Sequence, residues 1–407
     1  MQTLISNMRF LCDETRMLTG ITASYGTAEK SEHAIYGRAQ EVILTELGFI
    51  PCVRELNDTC IYDLASLTKL IIGVMTMLLV QQGKLSLDEH VGEIDSRFIH
   101  LKDTTVHDVL CYRVSLQTPG RIDDAPDREE GLRRLFSVQT APLPAVRIYS
   151  DINAMVVKYV IEAKTGLSLF DSLAEHIFVP LGMHETISAV PPEKRSRCVC
   201  YNYEHRIVRD RMILRTNTPP GTPHDPKALL LSDGGRDLCG HAGLFSTRQD
   251  MVRFAQGLLA GDILSRSALI EMGTNRTGRY NADGTYRQPL GFMCFTKHPE
   301  QRLSEVPSYT SAHGFGVSGF TGNHLVIDPL LGVFELFLGN RCHARVSHIT
   351  PAENKTLEDY GLDARGVGLV PWQDGRMVPS SAKYVYFKDA YLHDPIVQRM
   401  KGYGWLD

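Results

Sequence analysis

The chain has 407 residues, of which 43% are hydrophobic and 22% are charged. A chain of this length and composition can bury a substantial core and usually forms two or three structural units. The formal net charge of −4 argues against a nucleic-acid-binding protein, because such proteins normally carry a basic face. The longest apolar stretch, Leu70–Val80, is far shorter than the roughly 18 residues needed to span a bilayer, so no membrane span is expected.

Free thiols in a reducing compartment are expected from the cysteine pattern. The nine cysteines are odd in number, scattered and without a CxxC pair. Near the N-terminus, Arg9, Asp13 and Glu14 interrupt the apolar core that a signal peptide would need. We therefore expect a cytoplasmic protein, an expectation that fails if the chain was trimmed from a longer precursor.

The first 90 residues predict a hairpin followed by a buried helix. Gly20–Tyr25 and Glu32–Gly37 read as short strands separated by a polar turn around Ala28–Lys30. From Leu67 to Val80 apolar positions occur on every side of a helix, so this helix should be buried rather than amphipathic.

Helices and loops dominate from Asp88 to Gly240. The clearest helix is Asp151–Lys164, with Gly166 as its C-terminal cap. A further helix runs from about Thr247 to Leu259, opened by a capping box and ended by Gly261.

Strand-like sequence returns at Asn323–Asp328 and Gly332–Gly339. The order of strands, helices and strands implies a sheet assembled from both ends of the chain. We predict a discontinuous sheet domain of residues 1–90 and 245–407 and a helix-rich insertion domain of residues 91–244, with the functional site in the groove between them.

The strongest catalytic candidate is Ser66-Leu-Thr-Lys69, at the start of the predicted buried helix. Residues three apart lie on one helix face, so the Lys69 amine can reach the Ser66 hydroxyl. A helix N-terminus also offers free N–H groups and a positive dipole end, which favour the oxyanion of acyl transfer. In this positive, partly dry setting we expect a lowered pKa for Lys69, so that it can act as a base.

A second S-x-x-K match, Ser380 to Lys383, shows that the pattern alone is weak. Composition gives roughly one such match by chance in a chain of this size. This copy precedes a strand-like run and does not open a buried helix, so we do not predict a catalytic Ser380. The alternative for Ser66 is a simple helix N-cap.

The surroundings of Ser66 closely resemble the penicillin-recognising serine hydrolases. The resemblance is to the branch that contains class C β-lactamases, DD-peptidases, D-aminopeptidases and related carboxylesterases, and it covers about residues 20 to 345. Its blocks occur in the family's order at residues 62–69, 81–88, 149–153, 177–183, 240–247 and 319–329. The resemblance implies an α+β fold, an α/β-sandwich with an antiparallel sheet flanked by helices and a helical insertion domain.

The resemblance also implies roles for three residues near position 150. Tyr149 matches the family tyrosine that presents its phenol to the nucleophile, and a phenol beside an ammonium can shuttle protons. An aromatic anchor before a helix is the alternative for Tyr149. Asp151 stands where the family often has Asn, and we interpret it first as a helix cap and second as a site residue. Asp151 and Asn153 are candidate substrate contacts.

The family's third element, a Lys or His followed by Thr or Ser and then Gly, corresponds here to Val317, Ser318 and Gly319. Val317, Ser318, Gly319 and Phe320 are candidate contacts for the substrate or its oxyanion, and the backbone around Gly319 and Phe320 could complete an oxyanion hole. In the lactam and peptide branches this element supplies a cation that helps hold a substrate carboxylate. Val317 does not provide one. His313 is a candidate replacement, with a surface-loop histidine as the alternative.

A second departure is the segment Leu110–Leu116, which reads LCYRVSL where relatives read close to LLTHTSGL. Because this stretch supports the pocket in relatives, the change implies an altered substrate or weakened activity. The resemblance fades after about residue 350. The tail from Pro351 to Asp407 holds an aromatic run, Tyr384–Phe387, for which core packing is preferred over a pocket rim or a partner surface. A final helix with Pro395 in its first turn is expected.

These features predict a serine hydrolase or acyltransferase that works through a Ser66 acyl-enzyme on a small-molecule ester, amide or peptide. Loss of the cation favours an ester or a small acyl substrate. The alternatives are a D-peptidase or β-lactamase-like amidase, and a catalytically silent binding protein. No cofactor, metal or nucleic-acid partner is expected, because neither a three-ligand zinc spacing nor a phosphate-binding loop occurs.

Overall fold

The computed structural model describes residues 1–216, 218–300 and 305–407. The α-helices are α1 (Gln2–Arg9), α2 (Leu67–Gln81), α3 (Val91–Ile94), α4 (Val106–Leu110), α5 (Arg128–Phe136), α6 (Asp151–Thr165), α7 (Leu169–Leu173), α8 (Pro226–Leu231), α9 (Arg248–Ala260), α10 (Arg266–Met272) and α11 (Asp394–Gly402). The strands are β1 (Gly20–Thr27), β2 (Ser31–Thr45), β3 (Gly48–Glu55), β4 (Ile61–Asp63), β5 (Ser115–Gln117), β6 (Gln139–Ala141), β7 (Glu204–Val208), β8 (Arg211–Arg215), β9 (Phe245–Thr247), β10 (Phe295–Thr296), β11 (Phe315–Ser318), β12 (His324–Asp328), β13 (Val333–Gly339), β14 (Val346–Thr350), β15 (Leu369–Pro371) and β16 (Met377–Pro379).

A seven-stranded antiparallel sheet lies at the centre, in the order β10-β11-β12-β13-β1-β2-β3. Strand β1, from the start of the chain, pairs with β13 in the register Ile21↔Gly339. The sheet with its flanking helices confirms the predicted α+β class. The division into domains of residues 1–90 with 245–407 and residues 91–244 stays a prediction.

Helices cover both faces of this sheet because its strands are apolar on both. In β13, Phe337 packs in a cluster with α1 and α11, whereas Leu336 and Leu338 pack in the main core that contains α2. Successive strand residues point to opposite faces, so one strand supplies both cores. The all-round apolar pattern that predicted a buried α2 is confirmed, since nearly every residue from Leu67 to Leu79 is buried.

Helix α6 follows its predicted course but begins with a different cap. The Ser150 hydroxyl, not the Asp151 carboxylate, accepts the hydrogen bond from the N–H of Ile152 and caps the helix, so the prediction of Asp151 as the cap is wrong. The helix ends at Gly166, whose φ of 71° lies in the left-handed region that glycine adopts without strain. The Asp151 side chain is thereby left for other contacts.

The tail packs against the sheet and also reaches the site. Phe387 and Leu392 lie in the α1–α11 cluster, and α11 has Pro395 in its first turn as predicted. A short helical turn, Tyr384–Phe387, leads into this segment and borders the main cavity. The tail therefore contributes side chains both to the core and to the rim of the cavity.

All nine cysteines are free, and eight of them are buried. Within the described parts of the chain, no helix combines the length and the hydropathy that crossing a bilayer requires.

Candidate active site

A cavity of about 800 Å³ opens where α2, α6, β11 and the tail meet. Its wall includes Ser66 and Tyr149, together with Asp151, Lys227, Ser318, Gly319, Phe320 and Lys388. A pocket of this size is in the range that holds a small-molecule ligand. Sequence motifs that lie far apart along the chain therefore meet around one space.

Ser66 stands at the N-terminus of α2 in hydrogen-bond contact with Lys69. The Lys69 Nζ donates to the Ser66 Oγ across 2.7 Å, as the spacing of three residues predicted. The preceding residue, Ala65, has a φ of 47°, an uncommon conformation for a residue with a side chain. Its N–H donates to the buried Asp63 carboxylate at 2.8 Å, which holds the strained turn in place.

Lys69 is fully buried, and it is paired with an anion. Its Nζ lies 2.8 Å from Asp151 Oδ1, 3.2 Å from the His241 carbonyl oxygen and 4.9 Å from the centre of the Tyr149 ring. Burial opposes the ammonium, but Asp151 and then Tyr149 more than offset it and raise the pKa of Lys69 above its ordinary value. The expectation of a lowered pKa is therefore wrong, because it omitted the neighbouring carboxylate.

Asp151 belongs to a chain of alternating charges. Its second oxygen lies 3.0 Å from Lys227 Nζ, which in turn lies 3.3 Å from Asp225. Asp225 also lies 2.8 Å from the Nε2 of buried His241. Although burial opposes ionisation, Lys69 and then His241 and Lys227 hold the pKa of Asp151 well below its usual range. The site thus keeps Asp151 ionised and Lys69 protonated together.

The Tyr149 phenol is buried beside this pair. Its ring is stacked on Phe295 with centroids 5.0 Å apart, and Tyr112 packs against it at 5.4 Å. Burial raises the pKa of Tyr149, and the Lys69 ammonium only partly counters that rise. Within the described residues, no hydrogen bond of good distance and angle reaches the Tyr149 hydroxyl. Tyr112 belongs to the Leu110–Leu116 segment. The segment that departs from the family pattern therefore packs directly against the Tyr149 ring.

The backbone N–H groups of Ser66 and Phe320 remain available at the cavity. Gly319 is not one of them, since its N–H donates to the Asn323 carbonyl at 2.8 Å. Among the described backbone hydrogen bonds, none uses the N–H of Ser66 or Phe320. Phe320 rather than Gly319 is therefore the free donor of the predicted backbone pair. The lack of a side chain at Gly319 instead lets its backbone lie close to the backbone of Leu64, because a Cβ there would lie 2.8 Å from the Leu64 carbonyl oxygen.

Asn153 and Val317 do not line the cavity. Asn153 is buried in the core, where its amide donates to the Val109 carbonyl at 3.0 Å. It lies two residues from Asp151, and residues two apart on a helix face different directions. Val317 is likewise a core residue, because neighbouring positions on a strand alternate and Ser318 takes the cavity side. Both predictions of a substrate contact are wrong for these side chains.

A cation does reach Ser318, but from the tail. Lys388 Nζ donates to the Ser318 Oγ at 2.7 Å and lies 3.2 Å from His324 Nδ1. His313, the candidate replacement, is absent from the cavity wall; its Nδ1 lies 3.3 Å from the Thr274 hydroxyl. No local pattern predicted this role for Lys388, because the residue lies beyond the blocks that resemble the family.

Two groups of three possible metal ligands occur in the described chain. They are Glu204, His224 and Cys342, and Asp151, Asp225 and His241. Cations of the protein already neutralise their carboxylates: Arg206 lies 2.6 Å from Glu204, and Lys69 lies 2.8 Å from Asp151. This donor set does not fit a divalent ion well. The expectation of a site without metal or cofactor stays a prediction.

Sequence reasoning missed four residues that shape the site: Asp63, Asp225, Lys227 and Lys388. Asp63 lies three residues before Ser66, within the block at residues 62–69, and an acidic residue between the apolar Tyr62 and Leu64 is a signal that could have been read. Lys227 follows a Pro-rich connector, and nothing in its neighbours predicts its contact with Asp151.

Comparisons with known proteins agree on one family. The model of the Beta-lactamase family matches residues 45–357. A Salmonella typhi protein that bears the name D-alanyl-D-alanine carboxypeptidase is 28% identical over 343 aligned positions, covering 76% of this chain and 75% of the relative.

Solved structures show the same fold at lower identity. A class C beta-lactamase from Rhodobacter sphaeroides superposes with a TM-score of 0.61 at 17% identity, covering 84% of this chain and 95% of that one. Simvastatin synthase from Aspergillus terreus superposes with a TM-score of 0.60 at 16% identity, covering 86% of this chain and 92% of that one.

Proposed function

The chain belongs to the beta-lactamase family, and from this premise we propose that it is a serine hydrolase or acyltransferase with Ser66 as its nucleophile. The observation that carries the proposal is the 2.7 Å contact between Ser66 Oγ and Lys69 Nζ at a helix N-terminus that faces the cavity. A hydroxyl beside an amine and free N–H groups is the arrangement that nucleophilic acyl transfer needs.

In the proposed reaction the Ser66 oxygen attacks a carbonyl carbon of the substrate. The N–H groups of Ser66 and Phe320 receive the negative charge that develops on the carbonyl oxygen. The Ser66 proton passes to the Lys69–Tyr149 pair, and the pair then donates a proton to the departing oxygen or nitrogen. Attack by water, or by a second alcohol or amine, on the acyl-enzyme releases the acyl group and restores the serine.

The reactive form is the one in which the Lys69–Tyr149 pair has lost a proton. Asp151 stabilises the protonated form of Lys69, so the reactive form is a minor species at neutral pH. Activity should accordingly rise with pH. Asp151 stays ionised throughout and compensates the ammonium that forms when Lys69 takes up the proton.

The substrate class has two candidates. The absence of the family's cation at Val317 favours an ester or small acyl substrate. Lys388 weakens that reason, because it places a cation beside Ser318. Cleavage of a D-peptide is the second candidate, favoured by this cation and by the name of the Salmonella relative. Short activated esters remain the first substrates to test, because their hydrolysis demands least of the leaving group. The cytoplasmic location stays a prediction.

The test is labelling with a fluorophosphonate followed by peptide mass spectrometry. We expect one adduct at Ser66, none in Ser66→Ala, and unchanged labelling in Ser380→Ala. Ser380 is the matched control, since it has the same S-x-x-K spacing but does not line the cavity. Absence of labelling together with absence of ester hydrolysis would favour the silent binding protein. Hydrolysis that survives Ser66→Ala would overturn the assignment of the nucleophile.

A further inference from the structure

We propose that Lys388 binds a carboxylate group of the substrate, so that the tail supplies the cation that position 317 lacks. The inference rests on the proposed function and deepens it by naming the substrate class. That class is an ester or amide that carries a free carboxylate. No other residue on β11 can serve, because Val317 points into the core and Ser318 offers only a hydroxyl.

The position of Lys388 is fixed by packing on both sides along the chain. It follows the Tyr384–Phe387 turn, whose Phe387 packs in the α1–α11 cluster. Lys388 lines the same cavity as Ser66 and donates to Ser318 on its wall. The ammonium is therefore held at the cavity surface by the sheet and the tail together, which is the preorganisation that binding an anion requires.

The described residues place no carboxylate directly against the Lys388 ammonium, and the Glu305 carboxylate contacts the neighbouring His324 Nδ1 at 3.8 Å instead. No carboxylate oxygen of those residues lies within 4.0 Å of the Lys388 Nζ, whereas Arg206, Arg215 and Lys227 of the cavity wall are paired with carboxylates. Arg206 and Arg215 lie 2.6 and 3.1 Å from Glu204, and Lys227 lies 3.0 Å from Asp151. A buried ammonium without an anion is costly, and an arriving carboxylate removes that cost.

The electrostatic surroundings of Lys388 explain why an arriving carboxylate would stabilise its ammonium form. Burial lowers its pKa, and Glu305 and Asp389 offset that effect only in part. His324, which also faces the ammonium, has a pKa well below its ordinary value because of burial and of Lys388, so it adds no positive charge of its own. Arg341 stands nearby and lowers the pKa of Lys388 further.

Two other cations of the cavity wall, Arg147 and Arg341, also form no ion pair among the described residues; Arg147 is exposed, which leaves Arg341 as the main competing candidate. Its guanidinium lies 5.0 Å from the centre of the Phe320 ring and donates to the Ser347 carbonyl. Those contacts turn it toward the protein, while Lys388 contacts the strand beside the nucleophile. The test must therefore separate the two residues.

The first measurement is binding without turnover. Ser66→Ala protein is titrated calorimetrically with 3-hydroxybenzoate and with 3-hydroxybenzamide, which have the same shape but differ in charge. We expect the carboxylate to bind at least tenfold more tightly. The preference should disappear when Lys388→Met is added and persist with Lys388→Arg. Lys401→Met, which removes an exposed lysine of α11, is the matched control and should keep the preference.

The second measurement is turnover of two ester pairs. The phenylacetate esters of 3-hydroxybenzoate and 3-hydroxybenzamide place the carboxylate on the leaving group. The 4-nitrophenyl esters of succinate and succinamate place it on the acyl group. We expect a ratio of kcat/KM values, charged over neutral, of ten or more in one pair, and at least a tenfold smaller ratio in Lys388→Met.

Equal binding of the two benzoate analogues would overturn the proposal, as would a preference that survives Lys388→Met or is lost only in Arg341→Met. Failure of the proposed function looks different: no ester is cleaved and Ser66 is not labelled, yet the binding measurement still decides the role of Lys388. Thermal unfolding of each variant, and the outcome with Lys388→Arg, separate loss of the cation from loss of the fold.

Discussion

The Lys69 ammonium lies 2.8 Å from the Asp151 carboxylate, so the residue expected to act as a base is held in its acidic form. Where the family often has a neutral Asn, this chain has a charged group. We expect the pair to change the pH at which Ser66, the proposed nucleophile, is activated, while the 2.7 Å contact between Lys69 and Ser66 is kept.

Asp151→Asn should shift the pH dependence of activity. The carboxylate raises the pKa values of Lys69 and Tyr149, so its removal lowers both. The limb of the kcat/KM profile in which activity rises with pH should move to lower pH by about one unit or more. Hydrolysis of 4-nitrophenyl acetate from pH 5 to 10 measures this. Asp225→Asn, which changes a carboxylate one step further along the network, should shift the limb less. A limb that stays in place or moves to higher pH contradicts the role given to Asp151.

Lys69→Met should slow acylation strongly without unfolding the protein. The proton acceptor is lost, which costs on the order of 10³-fold in kcat/KM, while Asp151 keeps its partner Lys227. The fluorophosphonate labelling rate of Ser66 is the readout. Lys158→Met is the matched control, because Lys158 is a buried lysine paired with Asp237 at 2.8 Å outside the cavity. If both variants lose labelling equally, the effect of Lys69 is structural.

Gly319→Ala should damage the site and the fold together. The new Cβ would lie 2.8 Å from the Leu64 carbonyl oxygen and 3.3 Å from the Ala65 Cβ, directly behind the nucleophile. We expect a loss of about 1–3 kcal/mol in the free energy of unfolding, measured with urea, and slower labelling of Ser66. Gly402→Ala, where a Cβ meets nothing within 4 Å, should cost no stability. Unchanged stability in Gly319→Ala would show that the turn can move aside.

The buried His241 should make stability depend on pH above neutrality. Burial opposes its charge, but Asp225, Cys239 and Asp151 together outweigh burial and raise the pKa of His241 from 6.5 to about 10. Since the pKa is raised in the folded state, the stabilisation is complete below pH 6.5 and is lost as pH rises toward 10. The difference in free energy of unfolding between the protein and His241→Gln should shrink over this range, by up to about 5 kcal/mol, because one pKa unit corresponds to about 1.4 kcal/mol.

Urea unfolding at pH 6, 8 and 10 measures that difference. Asp225→Asn removes the carboxylate that raises the pKa of His241, so adding His241→Gln to that variant should give a difference that changes much less with pH. A difference that grows with pH would contradict the assignment of a charged His241.

Local patterns in the sequence predicted much of the frame of the site. The apolar run of α2 placed Ser66 at a helix start, and the spacing to Lys69 predicted their contact, because both depend only on helix geometry. The contact of Lys388 with Ser318 could not be predicted in this way. It depends on where the tail crosses the end of β11, which is decided by tertiary packing rather than by neighbouring residues.

The errors of the sequence interpretation have equally local causes. Choosing Asp151 as the cap of α6 overlooked Ser150, and the choice of cap decided whether the carboxylate was free to reach Lys69. Treating Asn153 as a neighbour of Asp151 ignored the turn of the helix between them. In both cases a shift of one or two positions reversed which side chain faced the cavity.

The pairing of β1 with β13 affects how the chain reaches its native state. Gly339 lies 318 residues after its partner Ile21 in the chain, so it is synthesised much later. Until then the hairpin of β1 and β2 presents an unpaired edge beside apolar side chains. Contacts between such distant residues slow folding and prolong exposure to aggregation. We therefore expect refolding to be slow, to improve at low protein concentration, and to gain from chaperones that shield an open strand.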